Sequence, residues 1–94
     1  MRIKGLIWLE EYIDKLEHKH QLTQEEVREI FKNQPRFRYV EKGAQEGENV
    51  YVAKGQTEAG RYVSVFFIYK KTGWALVISA REMKPKEKKR YEKR

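Results

Sequence analysis

From Trp8 the apolar residues recur at steps of three and four: Trp8, Leu9, Tyr12, Ile13 and Leu16. That spacing gathers them on one face of an α-helix and leaves Glu10, Glu11, Asp14, Lys15, Glu17 and Lys19 on the other. The pattern predicts a helix ending near His20-Gln21, with Gly5 to Trp8 as a short strand ahead of it. A second helix has a marked start. Thr23, with Glu26 three residues on, forms a capping box in which each side chain accepts a hydrogen bond from the other residue's backbone N–H. Leu22 and Val27 flank this start at the spacing of a hydrophobic staple. Val27, Ile30 and Phe31 then face the core, and Asn33-Gln34-Pro35 ends the helix.

After Pro35 the period changes to two. Phe37 and Tyr39 alternate with Arg36, Arg38 and Val40, and a loop over Gly43 to Gly47 follows. Val50 to Lys54, Arg61 to Lys70 and Trp74 to Arg81 read as three strands of a meander. They are joined by a loop from Gly55 to Gly60 and a tight turn at Lys71-Thr72-Gly73. The middle strand is largely apolar on both sides, with Val63, Val65, Phe67 and Tyr69 on one and Tyr62, Ser64, Phe66 and Ile68 on the other. It is therefore expected at the centre of the sheet, covered at least in part on both faces. Pro85 suits the first turn of a closing helix, Glu87 its start, and Lys93 and Arg94 its end. The expected fold is α+β: two N-terminal helices, an antiparallel meander and a basic C-terminal helix, as a single domain over residues 1–94.

Composition changes this picture in two places. The chain carries a formal charge of +7, of which Lys84 to Arg94 supplies +5 through seven Lys/Arg and two Glu. Excess charge gathered into one element points to a polyanion or an acidic protein partner. There is no cysteine, which excludes disulfides, thiolate metal sites and cysteine nucleophiles and fits a reducing cytoplasm. No segment reaches the ~18 apolar residues of a membrane span, so no membrane association is expected.

Most of the familiar chemical constellations fail on spacing. His18 and His20 lie about 200° apart around a helix and cannot share a metal as an i, i+4 pair would. The glycines from Gly55 to Gly60 link strand to strand, whereas a phosphate cradle needs a helix N-terminus there. Ser79 has no nucleophile-elbow context. Five positions remain. His20, where two helices meet, fits either a packed, hydrogen-bonded ring or a proton carrier and phosphate contact. Arg61 enters the central strand. Arg81, at a strand end, fits either an ion pair with Glu82 or Glu87 or a guanidinium aimed at a phosphate. Glu87 and Tyr91, four apart on one helix face, either tie the helix down or act as base and hydrogen donor.

Lys19-His20, Glu25-Glu26-Val27, Tyr51-Val52-Ala53-Lys54-Gly55-Gln56-Thr57, Gly60-Arg61-Tyr62 and Ser79-Ala80-Arg81-Glu82-Met83 with Glu87 and Tyr91 together resemble the BrnT family of bacterial toxins. The resemblance implies a RelE-like fold and a ribonuclease silenced by a BrnA-like antitoxin, with a dimer or a heterotetramer as possible assemblies. It implies cleavage without metal or cofactor, the RNA's own 2′-hydroxyl attacking the adjacent phosphate. Carried over by position, His20, Arg61, Arg81, Glu87 and Tyr91 are the catalytic candidates. Lys19, Lys54, Lys84, Lys88, Lys89 and Arg90 are the candidates for RNA contact. The chain departs from the family pattern at Tyr12, Leu16, Val50 and Leu76, where many relatives have polar or cationic residues. The rival readings are a non-catalytic RNA- or protein-binding domain on the same fold and, more distantly, a DNA-binding module.

Overall fold

The computed structural model describes residues 1–93. The elements run β1 (Gly5–Ile7), α1 (Glu10–His20), α2 (Gln24–Lys32), β2 (Arg36–Glu41), β3 (Val50–Gln56), β4 (Tyr62–Tyr69), β5 (Trp74–Glu82) and α3 (Pro85–Glu92). The strands form one sheet in the order β1-β5-β4-β3-β2. β3 to β5 are the antiparallel meander the alternation predicts, and β2, where Phe37 and Tyr39 alternate, extends it antiparallel to β3. β1 adds a parallel pair to β5, with Gly5 opposite Trp74 and Ile7 opposite Leu76, so the sheet is mixed. Among the described residues no helix is long and apolar enough to cross a membrane. Arg94, expected at the end of the closing helix, lies outside the described residues.

α1 and α2 cover one face of the sheet. Leu16, Leu22, Val27 and Ile30 pack on Ala53, Val63, Val65, Phe67, Ala75, Val77 and Ala80, all buried. The capping box of α2 is complete. Glu26 N–H donates to Thr23 Oγ1 at 3.1 Å and Thr23 N–H donates to Glu26 Oε1 at 3.0 Å. The staple residues Leu22 and Val27 are both fully buried. Gly55 sits inside β3 rather than in the turn, where α2 passes so close that an added Cβ would meet Ile30 Cγ2 at 3.3 Å. Phe67 anchors the core with ring centroids of Phe31, Phe37 and Tyr51 at 5.5, 6.0 and 6.1 Å.

One irregularity decides what the other face carries. Along β5, Ala75 and Val77 point to the helices, and strict alternation would send residues 79 and 81 the same way. Instead Val77 lies opposite Phe67 while Ser79 lies opposite Phe66, so Ile78 is an extra residue, a β-bulge. The bulge reverses the faces. Ala80 takes the buried side opposite Val65, and Arg81 emerges on the far face opposite Ser64.

Candidate active site on the sheet face beneath α3

The register then lines up a row across four strands. Arg36 on β2 is opposite Lys54 on β3, Lys54 opposite Ser64 on β4, and Ser64 opposite Arg81 on β5. Neighbouring members are about 5 Å apart along the sheet. Like charges opposite each other across strands are unfavourable on their own. Here an acid is supplied from above by α3.

That acid is Glu87. Its carboxylate accepts from Arg81 Nη1 at 2.5 Å and Nη2 at 3.2 Å, a bidentate pair. Lys54 Nζ stands 3.4 Å from Oε2, and the Ser64 hydroxyl donates to the same oxygen at 3.5 Å. Glu87 also caps the start of α3, accepting from the Lys84 backbone N–H at 2.8 Å. Side-chain exposures of 15% for Lys54, 19% for Glu87 and 29% for Arg81 place this cluster well below the open surface. Partial burial pushes the Glu87 carboxyl upward. The Arg81 hydrogen bonds, the Lys84 N–H and the charges of Arg81 and Lys54 outweigh it and bring its pKa down to about 2.

Around the row lies a cleft of about 700 Å³ lined by Arg36, Phe37, Arg38, Lys54, Glu87, Arg90 and Tyr91. A hollow of about 260 Å³ that includes Arg81 shares Arg38, Lys54 and Glu87 with it. Tyr91 is stacked under Arg36, whose guanidinium carbon is 4.6 Å from the ring centroid. Arg36 Nη1 also donates to the Tyr91 carbonyl at 2.6 Å. Tyr62 meets Tyr91 edge-on at 5.8 Å, donates to Glu92 at 3.0 Å and has Lys88 Nζ 4.5 Å from its ring. Among the described residues no group of three or more His, Asp or Glu side chains could hold a metal ion.

Of the sequence candidates, Arg81, Glu87, Tyr91, Lys54 and Arg90 come together here. Lys84 contributes its backbone N–H; Lys88 lies against Tyr62 and Lys89 is exposed. Two catalytic candidates lie elsewhere. His20 and Lys19 line a separate 260 Å³ pocket with Tyr12, Lys15 and Ser79, between α1 and β5. Arg61 is committed to tying elements together: Nη1 donates to the Gln21 carbonyl at 3.1 Å and to Glu26 at 2.8 Å, and Nε donates to Glu82 at 2.9 Å. Burial raises the Glu26 carboxyl, but the Arg61 and Thr23 hydrogen bonds hold it below its ordinary value. The fold also brings Arg36 and Arg38 to this cleft, which the sequence does not single out. Their alternation with Phe37 and Tyr39 was visible, but only the register with Lys54 reveals the row.

A family model of BrnT, the ribonuclease toxin of type II toxin–antitoxin systems, matches residues 8–87. The chain belongs to the BrnT toxin family. The match runs from Trp8, just ahead of α1, to Glu87 and so takes in the whole row of Arg36, Lys54, Ser64 and Arg81. Membership gives this BrnT protein RNA as its target class and an antitoxin as its partner. No individual curated protein matches the chain.

The cluster makes acid sensitivity predictable. The Glu87 pKa is about 2 in the fold and about 4.5 in a solvated chain, so the unfolded state binds more protons between those values. The stabilisation is full above pH 4.5 and is lost as the pH falls toward 2. The loss is on the order of 2–3 kcal/mol from this group. Thermal melts between pH 6 and pH 3 should therefore fall more steeply in the wild type than in Glu87→Gln.

Proposed function

We propose that this BrnT protein is a metal-independent endoribonuclease whose active site is the cleft beneath α3. The observation that carries the reading is the cross-strand row of Arg36, Lys54, Ser64 and Arg81, with Glu87 and Tyr91 set over it by α3. Attack of a ribose 2′-hydroxyl on its neighbouring phosphate builds a dianionic phosphorane, and preorganised cations stabilise it more than the singly charged ground state. Arg81 supplies a rigid fork matched to two phosphate oxygens, and Lys54 supplies a point charge beside it. Arg36, Arg38 and Arg90 extend positive charge along the cleft for flanking phosphates. Glu87 takes the proton from the 2′-hydroxyl and Tyr91 gives one to the departing 5′-oxygen, while His20 and Lys19 lie outside this reaction.

The partner that silences it is a BrnA-like antitoxin, and the setting is the cytoplasm. A binding protein that holds RNA without cutting it is the second reading, favoured by the tight hold of Glu87 on Arg81. Purified protein incubated with single-stranded RNA in excess EDTA separates the two. Cleavage leaving 2′,3′-cyclic phosphate ends is expected; tight binding with intact RNA would establish the second reading instead.

A further inference from the structure

We propose that the Glu87 carboxylate occupies the place of an RNA phosphate on Arg81 and Lys54, and that RNA enters by exchanging with it. This rests on the reading of the cleft as the RNA site and adds how that site is filled when empty of substrate.

The groups that hold Glu87 are those that would hold a phosphate: a guanidinium fork at 2.5 and 3.2 Å, an ammonium at 3.4 Å, a hydroxyl at 3.5 Å and a helix N-terminal N–H at 2.8 Å. A planar fork accepts carboxylate and phosphate oxygens in the same bidentate way. Among the described residues Glu87 is also the sole anion lining a cleft that carries Arg36, Arg38, Lys54 and Arg90. Second, α3 buries no residue of its own. It rests on the sheet through polar and aromatic contacts, chiefly Arg36 with Tyr91 and Tyr62 with Glu92. Shifting its first turn therefore uncovers little apolar surface, and Tyr91 at the other end keeps the helix attached.

Exchange makes the free protein a poorer RNA binder than its cations alone would be. Only the fraction of molecules with Glu87 displaced is competent, and apparent affinity falls by that fraction. Glutamine at this position tests the idea cleanly, because its amide oxygen can accept the Lys84 N–H as Glu does while lacking the charge. The probe is a mixed-sequence, 2′-O-methyl RNA decamer, which binds but offers no 2′-hydroxyl for attack. Glu87→Gln is expected to bind it roughly tenfold more tightly than wild type at ~0.1 M salt. Glu92→Gln, which removes one charge from the same helix away from Arg81, should change affinity far less. Unchanged or weaker binding by Glu87→Gln overturns the proposal, and so does an equal gain in Glu92→Gln. A carboxyl NMR titration of the wild type gives a second reading that needs no variant. With the decamer bound, the Glu87 pKa should rise from about 2 toward its ordinary range; a value that stays put means the carboxylate never leaves Arg81. If Arg81→Ala binds the decamer as well as wild type, the cleft reading itself fails, which is a different outcome.

Discussion

Replacing Arg81 by alanine is expected to slow RNA cleavage by roughly 10²–10³-fold, the usual cost of removing a preorganised donor from a site where negative charge develops. Arg81 is the member of the row with two parallel donors, and the bulge at Ile78 fixes its direction. Lysine restores the charge without the fork and should recover only part of the rate. The substitution also strands Glu87, whose carboxylate keeps only Lys54, Ser64 and the Lys84 N–H. That costs about 1–3 kcal/mol of stability. The double variant Arg81→Ala/Glu87→Gln should regain much of that stability and none of the activity. Melting curves beside single-turnover cleavage rates separate the two effects. Full activity in a folded Arg81→Ala protein would remove Arg81 from the mechanism.

Phe67→Ala should be the most damaging single change to the fold, costing about 3–5 kcal/mol. Phe67 is fully buried on the central strand and touches rings from α2, β2 and β3, so its loss opens a cavity that no single neighbour can fill. A domain of this size has about 5–15 kcal/mol in total. The urea midpoint should fall by about a fifth or more, with an unchanged slope. Tyr39→Ala, a half-exposed aromatic at the β2 edge, should cost under about 1 kcal/mol by the same measurement.

These two sites differ in how far the chain announces them. The core was legible because its signals are local: Thr23 with Glu26 starts α2, and Val63, Val65 and Phe67 alternate along β4. The parallel pairing of β1 with β5 was not, since three residues carry no directional signal and their partner lies nearly seventy positions away. The candidate site was partly legible through Arg81, Glu87 and Tyr91, which a strand and a following helix keep close. Period-two reading from Ala75 and Val77 would nevertheless have buried Arg81; only the bulge puts it on the face beneath α3, in the hollow that adjoins the cleft. Arg36 joins the row through register alone, and His20 and Arg61 lie apart from it, with surroundings on the helix side of the sheet.

The central claim is that RNA lies on the sheet face beneath α3. The most direct test is an amide and side-chain NMR titration of the wild-type protein with the 2′-O-methyl decamer, read residue by residue. The largest shifts should fall on Arg36, Arg38, Lys54, Arg81, Glu87 and Tyr91. Shifts gathered on Lys15, Lys19 and His20, with the cleft unmoved, would place the RNA on the opposite side of β5 and contradict the account.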